Sequence, residues 1–207
     1  MHRSPDQVDE VALGSIVPDL AAWGRFRLVS RNADGTALGL GIAIHHQTDT
    51  EFHSDPWFVA IQTKIRSDLE ALGVGRGPAR ACAHVGTEML IDGELCADPY
   101  QSQAARAALA VISAAPDGLN QIVSADAISD WNLHLNSVAS FGVPPDYHDP
   151  VAVASRLARI LRGRPRLKLD PDCVGVVADI LDRHHPEIGD TAHHIVDRVA
   201  QQLERHY

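Results

Sequence analysis

Three histidines and an aspartate stand within nine residues, His45-His46-Gln47-Thr48-Asp49-Thr50-Glu51-Phe52-His53. On a helix of 3.6 residues per turn, His45, Asp49 and His53 fall within about 80° of one another. His46, about 60° from Asp49, can replace His45 on that stripe. A second stripe, His84, Glu88 and Asp92, has the spacing i, i+4, i+8, with Ala81, Val85, Met89 and Leu90 on the other faces. Carboxylates beside an apolar surface are costly unless they meet water or a neutralising cation. Helical bundles assemble metal sites in this way, from helices that each carry a histidine and a carboxylate four residues apart. Asp19, directly after Pro18 in an apolar stretch, is either a helix N-cap or a further ligand.

Mixed imidazole and carboxylate ligands suit Mn²⁺, Fe²⁺, Mg²⁺ or Zn²⁺. An oxygen-rich set without nearby thiolates puts Mn²⁺ or Mg²⁺ first. His45 or His46, Asp49, His84 and Glu88 are the expected ligands, with Asp19 a further candidate. Asp92 and His53 are the candidates for orienting a ligand or acting as general acid or base. The one strong cationic run, Arg156 to Lys168, places Arg164 and Arg166 where they can hold a phosphate or dock an acidic partner; its other reading is a solubilising helix end. His148-Asp149 lies among prolines and reads as a loop. His184-His185 and His193-His194 read as surface or helix-end residues. HExxH, GxSxG, GxxxxGK[ST] and GxGxxG do not occur.

The elements that must position these residues are helical throughout, because apolar residues recur at helical spacing and no run of β alternation is evident. Helices are expected over about 7–23, 38–52, 56–72, 78–95, 99–115, 119–139, 150–163, 171–184 and 190–205. Asp55-Pro56, Asp98-Pro99 and Asp149-Pro150 read as N-cap and first-turn pairs. Arg25-Phe26-Arg27-Leu28-Val29 offers a short strand. No repeat or long linker divides the chain, so a single all-α domain over residues 1–207 is expected.

The chain has 207 residues, 45% of them hydrophobic and 22% charged, as globular proteins do. Its 5% of aromatics disfavours an all-β sandwich or barrel. A net charge of −9 argues against nucleic acid or an anionic membrane as a partner. No stretch approaches the length of an apolar membrane span, and the polar start carries no signal core, so a cytoplasmic protein is expected. Three scattered cysteines without a CxxC pair read as reduced thiols.

Three segments together resemble the acyl carrier protein phosphodiesterase family. They are Gly14-x-x-x-x-Asp19, Gly41-Ile42-x-x-His45-x-x-x-Asp49 and Arg164-Pro165-Arg166-Leu167, in the family's order and approximate spacing over residues 11–170. The resemblance implies a helical relative of the HD phosphohydrolases that uses manganese to release 4′-phosphopantetheine from a carrier protein by phosphodiester hydrolysis. Family members have an Asp-rich middle helix with an Asp-His pair, where this chain has His84-Val85-Gly86-Thr87-Glu88. The alternatives are a metal-dependent hydrolase of another small phosphoester and a helical binding or scaffold protein.

Overall fold

The structure is a computed structural model that describes residues 5–29, 33–99, 103, 106, 110, 112, 118–142 and 144–205. Among these residues it is all-α, without a strand. The helices are α1 (Pro5–Gly24), α2 (Ala37–Ser54), α3 (Pro56–Ala71), α4 (Arg76–Ala97), α5 (Gly118–Gln121), α6 (Ile128–Phe141), α7 (Pro150–Leu161) and α8 (Val174–Glu204), with 3₁₀ turns at Ala125–Ala127 and Pro171–Cys173. The helix expected over 99–115 falls largely outside the described residues. No helix among the described residues is long and apolar enough to cross a membrane.

The all-α span contains two compact units. One lies within residues 1–50 and 102–143, the other within 51–101 and 144–207. In the first, α1 and α2 approach closely because Gly14 and Gly41 have no side chain. A Cβ on Gly14 would collide with the Leu38 carbonyl, and one on Gly41 with the Val11 carbonyl. Leu13, Val17 and Leu20 of α1, Leu38 and Ile42 of α2, and Trp131 and Leu135 of α6 form its core. Arg25–Val29, offered by the sequence as a strand, is irregular, and the Val29 N–H donates to the Ile122 carbonyl at 2.7 Å. The expected helix over 119–139 is broken into α5, the 3₁₀ turn and α6.

The second unit packs α3, α4, α7 and α8 around one core. Phe58, Ile61, Ile65 and Leu69 make the inner stripe of α3 at spacings of three and four, the pattern of a half-buried helix. α4 turns Cys82, Ala83, Met89 and Leu90 inward, and α7 turns Val153, Leu157 and Leu161. The Asp55 and Asp149 side chains accept backbone N–H groups of the first turns they cap, with Pro56 and Pro150 following. The two helices expected over 171–184 and 190–205 are one, α8, with Pro186 inside it. Proline removes one helical hydrogen bond. The apolar stripe from Val177 through Ile188 and Ile195 to Val199 is buried on both sides of it, so packing outweighs that loss.

Candidate metal centre

α2 ends with His53 in its last turn, Ser54 follows, and Asp55 caps α3. Asp55 is 7% exposed. Arg198 of α8 clamps it with two hydrogen bonds, Nε to Oδ2 at 2.8 Å and an NH₂ group to Oδ1 at 3.0 Å. Burial pushes the Asp55 carboxyl up. The Arg198 bond and the N–H groups of Phe58 and Trp57 outweigh it and leave the group below the ordinary aspartate value. This clamp fixes the junction beside His53.

From that junction His53 reaches α4. Its Nε2 lies 2.7 Å from Glu88 Oε1. His84, one turn before Glu88 on the same helix, brings its own Nε2 to 3.3 Å from the same oxygen. The two imidazoles lie 4.8 Å apart between ring centroids, inclined by 32°, beside the Phe58 ring. Each of the three side chains is about one-third exposed. Among the described residues this is the group of histidine, cysteine and acidic side chains whose ligand atoms converge within 4.8 Å.

Gln62 of α3 gives the group its polarity. Its Oε1 lies 2.9 Å from His84 Nδ1, which donates to it as an N–H. A neutral His84 then carries its lone pair on Nε2, facing the Glu88 carboxylate. Two electron-rich atoms at 3.3 Å repel unless a cation sits with them, either a metal ion or a proton on the imidazole. A metal-ligating histidine usually gives its other ring N–H to an acceptor such as this amide oxygen. The donor set fits a divalent ion: two imidazole nitrogens and one carboxylate oxygen, open to solvent and without a thiolate.

The other expected ligands are not members of this converging group. His45 Nδ1 donates to the Ser15 carbonyl at 2.9 Å, joining α2 to α1, and the His46 ring stands 5.4 Å from the His45 ring. Eight residues separate His45 from His53, which puts them two turns apart on α2. Asp49 is exposed one turn before His53, and Asp19 is exposed inside α1, so it does not cap that helix. Asp92 is exposed on α4, one turn beyond Glu88, and its charge acts on Tyr147. Arg164 and Arg166 are exposed in the turn after α7, where the Leu167 N–H donates to the Arg164 carbonyl at 2.8 Å. That turn lies on the first turn of α4, since a Cβ on Gly77 would meet the Arg166 carbonyl. His53, expected to support the ligands, stands in the candidate group itself.

Two pairs went unread in the sequence. His184 Nε2 lies 3.0 Å from Asp68 Oδ2, and His185 Nε2 lies 2.8 Å from Glu94 Oε1. Both histidines sit inside α8 and are mostly buried, because the helix does not stop at Pro186.

The fold and site thus define an all-α chain with a candidate His–His–carboxylate cation centre. Compared with protein-family models, curated proteins and solved structures, the chain matches none.

Proposed function

We propose that this protein is a divalent-metal-dependent hydrolase of phosphoesters, with His53, His84 and Glu88 as the protein ligands. The carrying observation is the convergence of three ligand atoms within 4.8 Å, with Gln62 accepting from the far nitrogen of His84. Three protein ligands open to solvent are the arrangement of catalytic rather than structural metal sites. A divalent ion supplies Lewis acidity at a phosphoryl oxygen and a lowered pKa for water. Glu88 contributes negative charge, His53 and His84 fix the direction of ligation, and Asp92, one turn further along α4, is the candidate proton carrier. Mn²⁺ is the first choice, with Fe²⁺ and Zn²⁺ favoured next by the two imidazoles. The phosphodiester and carrier-protein part of the reading is supported by the segments around Asp19, His45-Asp49 and Arg164–Leu167.

The test is elemental analysis of untagged protein purified without chelators, followed by hydrolysis of bis(p-nitrophenyl) phosphate with Mn²⁺, Fe²⁺ or Zn²⁺. About one equivalent of metal and turnover, both lost in Glu88→Gln, is the expected result. Unchanged metal content in Glu88→Gln removes the site. Metal uptake without turnover on this or a carrier-protein substrate leaves a binding protein.

A further inference from the structure

The stripe that carries Glu88 and His84 continues toward the start of α4 with Arg80, exposed and one turn, about 6 Å, beyond His84. α3 and α4 form a hairpin through the short turn 72–75. The His84–Gln62 hydrogen bond fixes its register, with positions 62 and 84 facing each other. Positions 66 and 80 therefore share the next layer, which makes Arg66 the α3 counterpart of Arg80. Arg66 is steadied by Glu70, its Nε 2.7 Å from Oε1. Among the described residues no acidic side chain pairs with Arg80. That is notable in a chain with 27 acidic residues against 18 basic ones.

We propose that Arg80, with Arg66 beside it, is an oxyanion subsite contiguous with the His53–His84–Glu88 group, holding a phosphate-type group of the molecule that binds there. The proposal rests on the hydrolase reading and names the part of that site which recognises charge. A guanidinium presents a planar fork of N–H donors that matches two oxygens of such a group. The turn carrying Arg164 and Arg166 meets α4 at Gly77, seven residues or about 10 Å before His84. Those arginines are therefore placed for a more distant part of a substrate, and Arg80 for the group nearest the ligands.

Inorganic phosphate is the probe, titrated by calorimetry into the full chain with and without Mn²⁺, while Mn²⁺ affinity is measured separately. Arg80→Ala is expected to weaken phosphate binding about tenfold or more. It should leave far-UV circular dichroism and Mn²⁺ affinity unchanged, and Arg80→Lys should recover part of the loss. The Arg164→Ala, Arg166→Ala double variant is expected to bind phosphate within about twofold of the parent. Phosphate affinity unchanged by Arg80→Ala, or lost instead in the double variant, overturns the proposal. If no Mn²⁺ binds, the hydrolase reading fails while the metal-free titration still decides on Arg80.

Discussion

A single carboxylate oxygen, Glu88 Oε1, faces two imidazole nitrogens, and Gln62 assigns the tautomer of the His84 ring. Gln62 is thus a positioning residue. Gln62→Leu keeps the side-chain volume but removes the acceptor, so His84 loses the partner that keeps its proton on Nδ1. Divalent-metal affinity should fall about 10–100-fold, as for other outer partners of metal-bound histidines. Circular dichroism should not change. Nitrogen-15 NMR of the His84 ring should show the Nδ1–H tautomer in the parent and a mixture in the variant; an unaltered ring spectrum with unaltered affinity removes Gln62 from the site. Much of this candidate site was legible. His84 and Glu88 declare themselves by an i, i+4 spacing, and His53 lies on the stripe drawn through His45 and Asp49. Gln62 was not legible, because it stands 22 residues from His84 and meets it only when the hairpin closes. His45 has the same spacing but is not in the converging group, since it stands two turns before His53 on α2.

Among the elements, the junction of α2 and α3 bears most directly on the site. Asp55 caps α3 through the Trp57 and Phe58 N–H groups and takes the Arg198 clamp from α8. Its carboxyl is held below the ordinary aspartate value in the folded chain. A lowered folded value means that the stabilisation is present above the unfolded value and is lost as pH falls through the folded one. Stability measured by urea should therefore drop as pH falls below about 4, and Asp55→Asn should flatten part of that drop, since asparagine still caps but carries no charge. Asp55→Ala removes cap and clamp together and should cost about 2 kcal/mol at pH 7, because the half-exposed Arg198 regains water. A pH profile identical in Asp55→Asn and parent would remove the clamp as its source. Asp55-Pro56 and Asp149-Pro150 were readable because capping is a local matter of a few residues. The continuity of α8 through Pro186 was not. Proline argues locally for a break, and what overrides it is burial of Ile188, Ala192 and Ile195 against helices distant in sequence.

On the scale of the molecule, the all-α class followed from helical spacing and scarce aromatics, whereas the division into two compact units depends on which helices touch, and no linker marks it. The whole candidate group, His53, His84 and Glu88, falls in the unit built of α3, α4, α7 and α8, and so does Cys82. Cys82 lies on α4 close to His84 in sequence but on the opposite, fully buried face. Burial, and secondarily Cys173, raises its thiol to about 12. At pH 8 it is neither ionised nor accessible, so a thiol reagent reaches it only when this unit opens. An ion bound by the folded unit alone stabilises it by RT ln(1 + [L]/Kd), about 2.7 kcal/mol at a hundredfold excess over Kd. When reclosing outpaces modification, that slows labelling about 100-fold. Mass spectrometry of peptides after timed exposure to a maleimide should show Mn²⁺ protecting Cys82 to that degree in the parent. Glu88→Gln should abolish the protection while leaving the rate without metal nearly unchanged. Equal protection in parent and variant would place the ion elsewhere, because a ligand stabilises only the fold that holds it.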